Sequence, residues 1–80
     1  MRVKVNKVGK GNHPSELLVS VSTKAGEERL FVHNRSIKDN DTLDIGHPIQ
    51  ESADGYLVEL PRETLKGEWR VWVARELVAA

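Results

Sequence analysis

Residues 67–73 have the clearest alternation of apolar and polar side chains in the chain. In an extended chain, Trp69, Val71 and Val73 would point to one face, and Glu68, Arg70 and Trp72 to the other. A period of two residues is expected for a half-buried β-strand, and β-branched and aromatic residues suit its pleated surface. We therefore predict a strand over residues 67–73.

The same pattern occurs earlier, over residues 26–32. Both segments open with Gly-Glu and have Arg at the fourth position, an aromatic residue at the sixth and Val at the seventh. The apolar segments that precede them, 17–21 and 56–60, also align. These matches predict a tandem duplication of about forty residues, with repeats at approximately 2–37 and 42–78. Alternatively, two unrelated β-hairpins share the pattern.

The whole chain is predicted to form six short strands and no sustained helix. The strands lie near residues 3–8, 17–23, 28–33, 42–45, 56–60 and 67–73, with single helical turns at 35–37 and 75–78. Gly, Pro, Asn and Asp separate these segments, as turns require. We predict an all-β fold in a single domain, residues 1–80, closed into a small barrel of about six antiparallel strands because closure removes exposed strand edges.

Hairpin geometry predicts which side chains face the core. A connection of at least four residues in each hairpin places the apolar residues opposite one another on one face. With residues 24–27 as the first connection, the predicted pairs are Val21–Leu30, Val19–Val32, Leu60–Val71 and Val58–Val73.

The opposite face of the hairpins carries the candidate contact residues. When the apolar set points inward, Phe31 and Trp72 point outward, and an arginine (Arg29 or Arg70) lies two positions before each. Exposed Arg–aromatic pairs can stack on a peptide or a base, or form the centre of an interface. We predict these four residues as a binding surface for a protein partner or for self-association. The alternative is that both aromatic rings belong to a second core layer.

Charge is segregated along the chain, although it sums to zero. Residues 1–14 have basic side chains and no acidic ones, whereas residues 39–54 have acidic side chains and no Lys or Arg. Either these two segments dock on each other, or the basic segment contacts phosphate. The few positive charges of residues 1–14 could support only weak, strongly salt-dependent contact with phosphate. We therefore expect any nucleic-acid binding to be weak.

The sequence contains no cysteine and no recognisable catalytic motif. It therefore has no disulfide and no thiolate metal site, and its three histidines are too scattered to predict a metal centre. Neither Gly-x-Ser-x-Gly nor a Walker phosphate loop is present. We predict no enzyme activity, no cofactor and no metal. An enzyme whose site forms between subunits is the remaining alternative.

Hydropathy indicates a protein outside membranes. No apolar run reaches the roughly twenty residues of a membrane span. Apolar and charged residues alternate from the first residue over 1–5, so this segment does not form the apolar block of a signal peptide. We expect a cytoplasmic protein.

Residues 67–78 resemble the end of an SH3-like barrel. Their sequence, Gly-Glu-Trp-Arg-Val-Trp-Val-Ala-Arg-Glu-Leu-Val, is similar to the strand of that fold that runs into a 3₁₀ turn and a last short strand. The resemblance implies a small barrel that is SH3-like in style. Ala74 stands where SH3 peptide-binding domains have their signature proline, so it does not imply a groove for proline-rich peptides.

Residues 17–60 resemble the DNA-binding region of AbrB-like transition-state regulators and antitoxins. The resemblance lies in residues 29–32, Arg-Leu-Phe-Val, and in residues 37–45, which follow the family pattern Ile-Lys-x-Gly-Asp-x-Leu-x-Ile with Asn40 in place of Gly. It implies an interleaved dimer that binds DNA, with Arg29 and Arg35 as counterparts of the family's basic contacts.

The sequence thus favours a non-enzymatic binding or assembly module whose contact surface is the outward Arg–aromatic set. The alternative is a dimeric DNA-binding regulator of the AbrB-like kind.

Overall fold

The computed structural model describes residues 1–79, which form ten short strands and two 3₁₀ turns. The strands are β1 (Arg2–Lys4), β2 (Asn6–Lys10), β3 (Glu16–Thr23), β4 (Gly26–His33), β5 (Ile37–Lys38), β6 (Thr42–Asp44), β7 (Gln50–Ser52), β8 (Gly55–Glu59), β9 (Arg70–Ala74) and β10 (Val78–Ala79). The 3₁₀ turns are Asn34–Ser36 and Arg75–Leu77. The all-β class and both helical turns are confirmed. No helix within residues 1–79 is long and apolar enough to cross a membrane.

The ten strands form three separate antiparallel sheets. Their strand orders are β10-β1-β6-β5, β2-β3-β4 and β7-β8-β9. No closed barrel is found within residues 1–79, which corrects the prediction of a single six-stranded barrel. The reason is that the strand predicted near 3–8 is split into β1 and β2, which join different sheets, and that β7, where no strand was predicted, joins a different sheet from β6. Val5 separates β1 from β2, and residues 45–49, which include Gly46 and Pro48, separate β6 from β7.

The four-stranded sheet joins the two halves of the chain. β1 pairs with β6 at its centre, with Val3 opposite Leu43, and the outer strands are β10 and β5. This pairing brings basic and acidic segments together, and the Arg2 guanidinium lies 2.7 Å from an Asp39 carboxylate oxygen. Both halves have the same order of elements: four strands, a 3₁₀ turn and one short strand.

The core is formed by the inward residues of both hairpins and of the central sheet. All eight hairpin residues predicted to face inward are buried, and the central sheet and the segments beside it add Val3, Val5, Leu43 and Ile45. Full burial of one such aliphatic side chain contributes roughly 1.5–3 kcal/mol. The inward face of the hairpins was therefore predicted correctly.

The strand register differs from the prediction by two residues in both hairpins. In the first, Thr23 lies opposite Gly26 and Val19 opposite Leu30; in the second, Val58 lies opposite Val71. The first connection is a two-residue turn followed by Gly26, whose φ of 122° favours glycine. A slip of two residues keeps every side chain on its face, so burial alone could not distinguish the two registers.

Residues 61–69 form a loop, although the pattern predicted that a strand begins at Gly67. Gly67 has a φ of 89°, and its N–H donates to the carbonyl oxygen of Thr64. The buried Thr64 hydroxyl oxygen accepts from the N–H of Glu68 at 3.0 Å, so this segment closes on itself. Trp69 is consequently outside β9 and 50% exposed, not inward beside Val71.

Candidate functional site

Trp72 is the half-buried aromatic residue of β9. Its neighbours Val71 and Val73 enter the core, and alternation along the strand places the Trp72 ring on the other face. There it lies opposite Leu57 of β8. In the first hairpin, the half-buried Phe31 lies opposite Leu18 in the same kind of pair. The outward direction predicted for both rings agrees with this alternation.

The turn of the first hairpin docks on the second hairpin beside Trp72. The Lys24 N–H donates to the carbonyl oxygen of Trp72 at 3.0 Å. The Lys24 ammonium lies 5.7 Å from the centroid of the Trp72 ring and 2.6 Å from an Asp54 carboxylate oxygen. Gly55 allows this approach, since an added Cβ would lie 2.2 Å from the Val73 carbonyl oxygen and 3.2 Å from Lys24. The Lys24 side chain, which belongs to the first hairpin, therefore pairs with Asp54 and covers part of the Trp72 ring in the second half of the chain.

A cavity of about 370 Å³ opens between this turn and the start of β9. Residues 23–25 form one side of it, and Arg70 and Trp72 form the other. Two carboxylates, Glu28 and Glu68, also line it. We call this site the Trp72 groove. It is aromatic on one wall, has two acidic and two basic side chains in its lining, and lies where the two hairpins meet.

Glu28 is the buried ionisable residue of the groove. It lies opposite Val21, in phase with the inward residues Leu30 and Val32, and is only 6% exposed. One of its oxygens, Oε1, is buried and has no hydrogen-bond partner among the described residues. The other, Oε2, lies 3.5 Å from the Lys66 ammonium, on a side chain that is 68% exposed. A buried carboxylate normally has its full set of partners, so Glu28 is left under-satisfied.

The positive charges of the groove are neutralised by acids outside it. Lys24 pairs with Asp54, and Arg70 pairs with Glu59 at 3.2 Å. A hydrogen bond from Lys24, a second from Ser52 and the Lys24 charge lower the pKa of Asp54 from 3.8 to about 2. Glu28 has only the long 3.5 Å contact with Lys66, and within residues 1–79 Glu68 forms no ion pair. The uncompensated charge of the groove is therefore negative.

The structure brings together two of the four predicted binding residues. Arg70 and Trp72 line the groove, whereas Arg29 and Phe31 do not. Arg29 is exposed on β4, and its carbonyl oxygen accepts from the N–H of Leu65, so the loop 61–69 crosses the first hairpin there.

Two groove residues, Glu28 and Lys24, were not among the predicted binding residues. The signal for Glu28 was available, because it is in phase with Leu30 and Val32 on an apolar face. Lys24 had no such signal, since its role depends on contact between two hairpins that are distant in sequence.

A second cavity, of about 550 Å³, lies under the loop between β2 and β3. Lys10, His13 and Glu16 line it, and Glu16 is already paired with Arg62 at 2.9 Å. None of the predicted binding residues is part of it. Across residues 1–79, no group of three or more His, Cys, Asp or Glu side chains is arranged to hold a metal ion.

Comparison with known proteins identifies no relative: no family model, no curated protein and no solved structure matches the chain. The chemistry of the groove must therefore be inferred from its own residues.

Proposed function

We propose that this protein is a non-enzymatic binding or assembly module whose principal contact surface is the Trp72 groove. The observation that carries the proposal is the half-buried Trp72 ring on the wall of a cavity between two hairpins. Aromatic residues beside Arg are enriched at the centres of interfaces, because they bury a large area with few rotatable bonds. Arg70 and Trp72 supply this combination, and Arg29 and Phe31 form the corresponding outer face of the first hairpin.

The occupant is a protein segment or a second copy of this chain. A cavity of about 370 Å³ is near the lower end of the range for small-molecule sites and has room for a side chain. Burying the rest of the Trp72 ring would contribute at most roughly 1.5–3 kcal/mol. That is enough to anchor an interface but too little to hold one alone, so further contacts on the rim are part of the proposal.

We also propose that the chain is an internal duplication, with repeats at approximately 2–37 and 42–78, and that the fold the two repeats form together is SH3-like in style. Two features support it. The order of elements is the same in both halves, and each hairpin has a Leu–aromatic pair on its outer face: Leu18 with Phe31 and Leu57 with Trp72. The groove then lies where the turn of one repeat meets the hairpin of the other.

The test is an amide-shift titration of the ¹⁵N-labelled full chain, together with its solution mass over a range of concentrations. The titrants are capped tripeptides whose central residue is basic, acidic, apolar or aromatic. We expect at least one peptide, or self-association itself, to shift the Trp72 indole and the amides of residues 23–25. The exposed Trp69 indole, which lies outside the groove and donates to Glu63, is the internal control. A constant monomer mass with no shifts at the groove would contradict the proposal.

A further inference from the structure

We propose that the Trp72 groove takes a cationic side chain, an arginine or lysine of a peptide or protein partner, with the Glu28 carboxylate as its anchor. This inference rests on the proposed binding function and names the chemistry of the ligand. The observation that points to it is the under-satisfied carboxylate of Glu28, which lines the groove and is more than nine-tenths buried.

The charge balance of the groove favours a cation over an anion. Lys24 and Arg70 already pair with Asp54 and Glu59, which reduces their attraction for an anion. The two carboxylates that line the groove have no comparable partner. A ligand ammonium or guanidinium would therefore gain a charge-assisted hydrogen bond without breaking an existing close pair.

Lys66 does not line the groove, but it competes with the ligand for the Glu28 carboxylate. Its ammonium lies 3.5 Å from Glu28 Oε2 and 3.5 Å from the carbonyl oxygen of Glu27. Both contacts are long, and the Lys66 side chain is mostly exposed, so the pair is worth little. The loop backbone is held separately, by the N–H of Leu65 on Arg29 and by the Thr64 hydroxyl. Admitting a ligand thus leaves the loop backbone in place, but it requires the Lys66 side chain to leave Glu28, the Glu28 carboxylate to turn its buried Oε1 towards the groove and the Lys24 ammonium to share the Trp72 ring.

Trp72 provides the second recognition element. Its ring already has the Lys24 ammonium above it at 5.7 Å, within the range of cation–π attraction. A guanidinium can pair with a carboxylate through two parallel N–H groups and stack on an indole at the same time. An ammonium has no planar pair of N–H groups, so it cannot form this two-bond pair with the carboxylate while it stacks on the indole. We therefore expect arginine to bind more tightly than lysine.

The experiment is a shift titration of the ¹⁵N-labelled full chain with four capped tripeptides: acetyl-Gly-X-Gly-amide with X as Arg, Lys, Leu or Glu. We expect the Arg and Lys peptides to shift the amides of Glu28 and Trp72, with the Leu and Glu peptides giving no saturable shift there. Glu28→Gln should weaken Arg-peptide binding by about tenfold or more, since it removes the negative charge from the hydrogen bond that anchors the ligand. Lys66→Gln should tighten it about two- to fivefold by removing the internal competitor.

Glu27→Gln is the matched control, because Glu27 is the exposed neighbour of Glu28 on the same strand and should leave binding unchanged. Unchanged affinity in Glu28→Gln, or weaker binding in Lys66→Gln, would overturn the inference. So would saturable shifts at the groove from the Glu or Leu peptide alone, and the groove would then remain a binding site for another ligand. Absence of groove shifts from all four peptides would overturn the inference, and the proposed function would fail with it only if the aromatic peptide also gave no shift and the mass remained that of a monomer.

Discussion

Replacing Glu28 by methionine should raise the free energy of unfolding. The side chain lies opposite Val21 beside the apolar core and is 6% exposed. Its Oε1 has no hydrogen-bond partner within residues 1–79, and an unpaired buried polar atom of this kind costs about 1–3 kcal/mol. Lys66 offsets little of that cost, because an ion pair to an exposed side chain is worth about 0–1 kcal/mol.

Methionine has a length close to that of glutamate, carries no charge and adapts to irregular space. The expected gain for Glu28→Met is therefore about 1–2 kcal/mol, the cost of the unpaired oxygen less the lost contact with Lys66. In a domain of this size each kcal/mol raises Tm by about 4–8 °C. Urea unfolding followed by tryptophan fluorescence, with a thermal melt of the same samples, measures both quantities.

Glu27→Met is the control for this measurement. Glu27 is exposed and lies opposite Ser22, so its replacement should change the free energy of unfolding by less than about 0.5 kcal/mol. If Glu28→Met destabilises the protein by more than about 1 kcal/mol while Glu27→Met is neutral, the Glu28 carboxylate is well satisfied in solution. The inference that the Glu28 carboxylate accepts a hydrogen bond from a ligand would then also fail.

Three further outcomes are expected. Val32→Asp and Val73→Asp should each abolish cooperative folding, because they place an unpaired carboxylate in the core; a melt like that of the parent would show that the inward face is wrong. The Asp54 carboxyl should titrate near its folded pKa of about 2, and Lys24→Gln should return it towards 3.8. Since that pKa is lowered by folding, the Lys24–Asp54 contribution to stability is present above pH 3.8 and is lost as the pH falls through about 2; an unshifted Asp54 would refute the pair. Duplex DNA should bind weakly or not at all at physiological salt, because the net charge is zero. Submicromolar binding that falls steeply with added salt would instead favour the AbrB-like alternative.

The sequence predicted which hairpin residues face the core, because this depends only on a period of two. Val19, Val21, Leu30 and Val32 alternate with neighbours that are polar or aromatic, except for Leu18, and all four are buried. Register was predicted wrongly, because residues 24–27 suit either a four-residue connection or a two-residue turn. Both leave the same side chains on the core face, so the pattern contains no information that separates them.

The arrangement of the sheets depends on contacts that are distant in sequence. Val3 lies opposite Leu43 and Arg2 opposite Ala79, and neither pairing leaves a mark on the local pattern of hydrophobic residues. Closure into one barrel was inferred from the general cost of exposed edges. The chain instead distributes its strands over three sheets, with breaks at Val5 and at residues 45–49.

The candidate site was predictable in part. Arg70 and Trp72 were identified because strand alternation turns them away from the core, and both line the groove. The groove itself was not predictable, because its other wall is a turn of the first hairpin. Lys24 reaches Trp72 and Asp54 only after the two hairpins have packed together.

The central claim, that Trp72 is a contact residue and not part of the core, is tested most directly by Trp72→Ala. The measurement is the solution mass and peptide affinity of this variant beside its thermal melt in dilute solution, with Trp69→Ala as the control. We expect the half-buried ring to cost less than about 1.5 kcal/mol of stability, against about 3–5 kcal/mol for a fully buried tryptophan, while self-association or peptide binding at the groove is lost. A collapse of stability in Trp72→Ala, with a parent protein that is monomeric and binds no peptide at the groove, would contradict the claim and place Trp72 in the core.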